Sequence, residues 1–365
     1  MLGRGVDQIL HRPGDPTLRE PVVRDARRYV DLAEQANGPI PKPVDSRWPW
    51  GDALEMVNDL DPDVRLINLE TTITADGEFA DRKAVHYRMH PDNLPALAAF
   101  RPDVCALANN HILDFGRRGL ADTVKTLGSA GIQSPGAGAD LPTAQHLAEV
   151  AAGHADHHVV VASIATKCSG VPETWAAHRD TPGLWLIRDL SDWGLVDDIA
   201  ATVLSHKRAG DVAVVSVHWA SNWGYGVGLS ETQFAHRLID AGIDMVHGHS
   251  SHHPRPIEIF RGRPILYGCG DLIDDYEGIG GHESYRTDLR LLYLVCTDPA
   301  DGRLISLQMI PLRVRRMRLE HAAHTDAEWL RATIEHISRR FGTGVTAEPD
   351  GLLGVVSSGS DRPRR

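Results

Sequence analysis

The chain has 365 residues, 42% of them hydrophobic and 24% charged, which suffices for one large or two small packed domains and excludes global disorder. Its formal net charge of −11 makes the average surface repel nucleic acid and anionic membrane. The four cysteines, Cys105, Cys168, Cys269 and Cys296, form no CxxC pair. That excludes a zinc ribbon or a dense disulfide framework and leaves the expectation of four buried thiols in a reducing compartment.

In chain order, residues 11–50 are rich in Pro and Arg and read as loop, with a short helix around Val30 to Gln35. DVRLINLETTIT (63–74) is an apolar run with a polar end, the pattern of a buried strand. NLPALAAF (93–100) reads as a short helix, DVCALANN (103–110) as a second strand, and GLADTVKTLGSAG (119–131) as a helix stopped at glycine. The alternation continues with a strand at 157–165, a helix at 193–210 and a strand at 211–219. A helix at 230–242 follows, opened by a Ser-x-x-Gln capping pattern, and then a strand at 243–250. Residues 255–270 read as a hairpin turning at Arg261-Gly262, and 289–297 and 304–314 as further strands. A helix is expected at 327–340. Alternating strands and helices predict an α/β layered domain, with antiparallel pairing among the late strands. The expected organisation is a main domain over 1–317, a C-terminal helical extension over 318–345 and a disordered tail over 346–365. No stretch reaches the length of a membrane span, and MLGRGVDQIL has no apolar core of a signal peptide, so a cytoplasmic protein is expected.

Ligand-type side chains recur at the carboxyl ends of the predicted buried strands. Glu70 follows LINL, Asn110 and His111 follow VCALA, and His218 follows VVSV. His247, His249 and His252 follow IDMV in VHGHSSHH, the densest histidine cluster of the chain. Strand carboxyl ends are where sites form in open α/β sheets. Carboxylate, amide oxygen and imidazole brought to one edge make a mixed N/O site for a divalent ion such as Zn, Mn, Fe, Co or Mg, and not for soft thiolate chemistry. Each piece also has a plainer reading. Glu70 can pair with an arginine, Asn109-Asn110 is good turn chemistry, and a lone His218 is commonly a satisfied core residue. Asp271, Asp274, Asp275 and Glu277 of YGCGDLIDDYEG either orient nearby imidazoles or form a solvated acidic edge. HWASNWGYG (218–226) is either a pocket wall or a loop packed by its own rings.

The stretches MLGRGVDQ (1–8), NLETTIT (68–74), LANNHILDFG (107–116), TPGLW (181–185), VVSVHW (214–219) and AGIDMVHGHSSHHPRPIEIFRGRPILYGCGD (241–271) resemble, in order, the CapA family of poly-γ-glutamate capsule biosynthesis proteins. That family is similar in fold to calcineurin-like metallophosphoesterases. The resemblance implies a four-layer α/β/β/α sandwich with a metal centre at one sheet edge. It implies Glu70, Asn110, His218, His249 and His252 as metal ligands, and His111, His218 and Asp114 as catalytic candidates. The family's first strand ends in Gly-Asp just ahead of MLGRG, and that aspartate is a ligand. Here the sequence opens at Met1 inside the motif, so the first strand reads as truncated, with a misplaced start the expectation.

Three functions follow from these readings. One is a metal-dependent hydrolase or acid/base enzyme of poly-γ-glutamate metabolism, with the ion as Lewis acid or source of hydroxide. Another is a metal-dependent epimerase of a ribosomal, lasso-type peptide precursor, with Trp219, Trp223 and Tyr225 lining the pocket. The last is a non-catalytic polymer-binding or assembly protein with a degenerate site. The substrate is expected to be an anionic polymer, a phosphoester or a peptide.

Overall fold

A computed structural model of the chain describes residues 1–153 and 156–357. The first half carries helices α1 (Arg27–Asn37) and α2 (Ala53–Leu60), strands β1 (Leu66–Asn68), β2 (Thr72–Ile73) and β3 (Arg88–Met89), helix α3 (Leu94–Ala98) and strand β4 (Val104–Ala106). Then come α4 (Gly116–Ser129), β5 (Ala137–Gly138), α5 (Leu141–Ala144), β6 (Ala148–Ala152) and β7 (His157–Thr166). The second half follows with β8 (Gly183–Leu184), β9 (Leu186–Ile187), α6 (Trp193–Leu204), β10 (Val212–His218), α7 (Leu229–Ala241) and β11 (Met245–His249). β12 (Ile257–Phe260), β13 (Arg263–Leu266), β14 (Leu289–Thr297), β15 (Leu304–Arg315), β16 (Arg318–His321), α8 (His324–Ser338), β17 (Thr343–Ala347) and β18 (Leu353–Ser357) complete it. The chain is a mixed α/β protein with several sheets, as its alternating pattern predicts.

The largest sheet has the order β12-β13-β11-β10-β7-β6, with β9 beside β7. β10 runs parallel to both β7 and β11. Its sequence VAVVSVH suits a strand buried on both faces, which needs a nearly continuous apolar run. Val215, Val217 and Val246 point into a cluster with Val196, Ile199, Phe234 and Leu238 of α6 and α7. α6 starts where the Asp192 side chain accepts from Leu195 N at 3.2 Å, and α7 stops at Gly242 with φ 115°. The opposite face meets β1 and β4: Val161 and Val214 pack with Val104 and Leu66, and Ala108 N donates to Ser163 Oγ at 3.1 Å.

The late strands form an antiparallel sheet, β14-β15-β18-β17 with β16 beside β15. Leu289, Leu291, Leu307 and Met309 of this sheet share one cluster with Leu330 and Ile334 of α8 and with Ile257 and Leu266 of the large sheet.

Four expectations need correction. The run 63–74 is not one strand: β1 ends at Asn68, β2 begins at Thr72, and Glu70 occupies the break. The Ser-x-x-Gln pattern does not open α7; Gly228 does, its N–H donating to Glu231 Oε2 at 2.8 Å, while Ser230 lies inside the helix. The span expected as a disordered tail from 346 contains β18 and the end of β17, because Gln308 and Met309 of β15 offer β18 a pairing edge and β18 in turn pairs with β17; residues 358–365 lie outside the described residues. Of the four thiols only Cys105 is buried; Cys168 and Cys296 are exposed and Cys269 is half-buried. No helix among the described residues is long and apolar enough to cross a membrane.

Candidate functional site

Strand register assembles the site. In the parallel pair β1–β4, Asn68 lies opposite Ala106, so Glu70 and the Asn109-Asn110-His111 turn leave adjacent strand ends. In β10–β11, Ser216 lies opposite His247 and His218 opposite His249. Side chains alternate along a strand, so these four share the face turned away from α6 and α7. His252 follows in the loop after β11.

The first wall is built on Asn109. Its Nδ2 donates to Asn68 Oδ1 at 3.0 Å and to Leu69 O at 2.9 Å, and its Oδ1 accepts from His111 N at 3.0 Å. Asn109 is therefore committed to the turn, and the neighbouring Asn110 Oδ1 is buried with no hydrogen-bond partner. Glu70 accepts from Asn68 Nδ2 at 2.8 Å and lies 4.0 Å from His111 Nε2, so its partners are an amide and an imidazole, not an arginine. His111 Nδ1 is 2.6 Å from Asp114 Oδ2, which also accepts from Tyr87 N at 2.6 Å.

On the second wall, His218 Nδ1 and His249 Nδ1 are 2.9 Å apart, and His249 Nε2 is 3.0 Å from Ser216 Oγ. Ser216 Oγ is also 3.0 Å from His247 Nδ1. One imidazole of the His218–His249 pair donates and the other accepts, and His218 Nε2 remains buried without a partner. His252 closes the site: its Nδ1 is 3.0 Å from Asp271 Oδ2 and its Nε2 is 3.4 Å from Tyr276 Oη. Tyr87 Oη donates to Tyr276 Oη at 2.9 Å, and the edge of the Tyr87 ring meets the His111 ring at 4.6 Å, joining the two walls.

Burial sets the electrostatics. It raises Glu70 to about 7, against the pull of His252. It lowers His111 to about 4, against Asp114, and holds His218 and His249 well below the usual imidazole range. For His252 burial is outweighed by the carboxylates of Asp271 and Glu70, which raise it. Charge on His111 and His252 depresses His218, so these groups sense one another across the site.

The structure thus brings Glu70, Asn110, His111, Asp114, His218, His249 and His252 to one edge. Among the described residues, no three His, Cys, Asp or Glu side chains converge closely enough to form a ready ion site. The donor set nevertheless suits a divalent cation. Asn110 Oδ1, a buried acceptor, and His218 Nε2, a buried ring nitrogen, both lack partners, and an unsatisfied buried polar atom costs about 1–3 kcal/mol.

The acidic turn is not a solvated edge. Asp271 holds His252, Asp274 Oδ2 accepts from Arg290 Nη2 at 2.5 Å, and Asp275 Oδ2 accepts from Arg4 Nε at 2.8 Å. Glu277 Oε2 accepts from Arg316 N at 2.7 Å. Trp219 does not line a pocket; it is fully buried between Phe234 and Tyr267, its Nε1 donating to Tyr267 O at 2.9 Å. Trp223 and Tyr225 are half-buried and belong to a set of rings packed on one another, with Trp223 stacked on His282 at 3.7 Å and Tyr285 on His253 at 4.3 Å. Sequence reasoning passed over Lys83, whose ammonium reaches Asp114 and His111 Nδ1 from the loop between β2 and β3. The loop has no hydrophobic period, so nothing local marks it.

Comparison with known proteins agrees with these motifs. Residues 1–276 match the family model of the bacterial capsule synthesis protein PGA_cap. A probable polyglutamine synthesis accessory protein of Mycobacterium tuberculosis is 68% identical over 356 residues, covering 98% of this chain and 93% of the relative. The PGA biosynthesis protein CapA of Bacillus subtilis is 28% identical over 211 residues, 57% of this chain and 52% of the relative. The capsule biosynthesis protein CapA of Bacillus anthracis is 24% identical over 193 residues, 53% and 45% of the two chains.

Proposed function

The chain belongs to the bacterial capsule synthesis protein PGA_cap family, and from that premise we propose that it is a metal-dependent enzyme acting in the metabolism of a poly-glutamate polymer. The observation that carries this reading is the pair of partnerless buried polar atoms, Asn110 Oδ1 and His218 Nε2, at the edge that also gathers Glu70, His249 and His252. We read the helix-covered large sheet, backed by further strands on its other face, as part of the four-layer sandwich of metallophosphoesterases.

In this reading Glu70, Asn110, His218, His249 and His252 hold the ion, which when bound supplies Lewis acidity at neutral pH. The remaining roles belong to the chain's own groups. Asp114 accepts a hydrogen bond from the Nδ1–H of His111, leaving Nε2 with its lone pair beside Glu70. His111 then accepts or returns a proton at Nε2. Asp271 orients His252 in the same manner. Burial of Glu70, His111 and His218 keeps bulk water from competing for these atoms. The substrate class follows the relatives' printed roles in polyglutamine and PGA biosynthesis.

The two carboxylate–imidazole pairs, Asp114–His111 and Asp271–His252, also favour a second reading, in which two bases flank the α-carbon of a peptide and epimerise it. Solvent deuterium entering the α-position of a peptide substrate separates this from hydrolysis.

The test is metal content together with a panel of phosphoester, γ-glutamyl and peptide substrates. The purified protein is expected to bind a divalent ion stoichiometrically, and His249→Ala to weaken binding by about 10–100-fold, the range seen when even a ligand's support is lost. Unchanged metal content and activity in that variant would overturn the site assignment.

A further inference from the structure

Lys83 lies outside every motif that identifies the site, yet its ammonium is lodged in the middle of it. Nζ donates to Asn110 O at 2.5 Å and to Asp114 Oδ1, stands 2.8 Å from His111 Nδ1, and lies 5.4 Å from the centroid of the Trp175 ring. We infer that Lys83 is a positioning residue that locks His111 in the tautomer with its proton on Nδ1, leaving Nε2 as the lone-pair nitrogen. This rests on the proposed role of His111 only for its consequence, not for its geometry.

Donors and acceptors decide the tautomer. An ammonium only donates, whereas a neutral imidazole nitrogen donates or accepts, never both. His111 Nδ1 faces Asp114 Oδ2 at 2.6 Å and Lys83 Nζ at 2.8 Å, and it can serve only one of them. Lys83 already has two oxygen acceptors, and the Trp175 face receives its remaining charge as a cation–π contact. Asp114 Oδ2, by contrast, is a fully buried carboxylate oxygen facing Nδ1, where two lone pairs would repel. Placing the proton on Nδ1 gives Asp114 Oδ2 a donor from the ring while Lys83 keeps its two oxygen acceptors. Nε2 then faces Glu70, 4.0 Å away. The clamp on Asp114 Oδ1 and on the Asn110 carbonyl also fixes the carboxylate and the turn that carries His111. Without it Asp114 Oδ1 loses its donor and the carboxylate is held only by Tyr87 N on Oδ2, which loosens its grip on Nδ1 and the tautomer preference with it.

Ring nitrogen NMR of the 15N-histidine-labelled full chain tests this, with His111 assigned from the signals lost in H111N. The wild-type protein should show His111 as a single form protonated at Nδ1. K83M should lose that single-form pattern and show exchange between tautomers, and K83R, which returns a cationic donor, should restore it. Should K83M not fold, K83Q, which keeps a donor for the Asn110 carbonyl but no charge, should show the same loss. A folded K83M or K83Q with the wild-type pattern, or a wild-type His111 protonated at Nε2, overturns the inference. The readout needs neither metal nor substrate. A wild-type protein that binds no metal and turns over nothing therefore defeats the proposed function while leaving the Lys83 result standing.

Discussion

Arg4 shows how single buried charges hold the site's surroundings. Its guanidinium donates to Asp275 at 2.8 and 2.5 Å and to Glu20 at 2.9 Å, and it lies 3.7 Å from the Tyr29 ring centroid and 4.5 Å from that of Tyr87. Asp275 also accepts from Gly5 N at 2.7 Å, so one carboxylate ties the opening loop to the turn that carries Asp271 and Tyr276. Removing one member of a buried ion cluster leaves the others charged and desolvated, which costs about 3–5 kcal/mol. Arg4→Met is accordingly expected to lower unfolding free energy by about that amount in a urea titration; a change below about 1 kcal/mol would mean that the cluster is dispensable. The same economy of partners governs the site. Asn109, Asp114 and Asp271 are spent on orienting their neighbours, and the groups left over are the ones available for chemistry.

At the scale of the element, β11 carries the most information per residue. MVHGH alternates, placing His247 and His249 on the site face and Val246 in the core. Gly248 between the histidines has a packing cause. A Cβ there would lie 2.5 Å from Leu266 O, 2.7 Å from Trp219 Nε1 and 2.8 Å from Tyr267 O. Two of those three are backbone atoms that cannot retreat without breaking the sheet. Gly248→Ala should therefore cost at least about 2 kcal/mol of stability, in the range of overpacking, visible as a lowered thermal midpoint. A midpoint matching the wild type would show that the strand has more room than this packing allows. The hairpin β12–β13 turns at Arg261 and Gly262, with φ of 51° and 77°, where the Arg-Gly signal placed it. At α7, Ser230 and Gln233 mimic a capping box two residues late, whereas the partner of Glu231 is the backbone of Gly228.

At the scale of the whole molecule, the family match ends at 276, but the fold does not. β14, β15, β17, β18 and α8 seal Ile257 and Leu266 of the large sheet, and Arg290 of β14 pairs with Asp274 in the turn behind His252. Each fully buried Leu, Ile or Met stabilises by roughly 1.5–3 kcal/mol. Uncovering this cluster therefore removes an amount comparable to a typical total stability of about 5–15 kcal/mol. A fragment of residues 1–276 is expected to lack a cooperative unfolding transition and to bind a hydrophobic dye. A sharp transition in that fragment would show the C-terminal sheet to be an independent unit.

The order of strands and helices was legible from the sequence because hydrophobic period is a local property, and the strand-end positions of Glu70, Asn110, His218 and His249 followed from it. So did the family, since its motifs are contiguous. What tertiary structure decided was everything that depends on partners far apart in the chain. Lys83 reaches Asp114 across 31 positions, Arg4 reaches Asp275 across 271, and Arg290 meets Asp274 across 16. Composition suggested four buried thiols, but exposure is set by packing, and Cys168 and Cys296 face solvent. Trp219 lies next to His218 and yet on the opposite face, because a strand turns each side chain away from its neighbour.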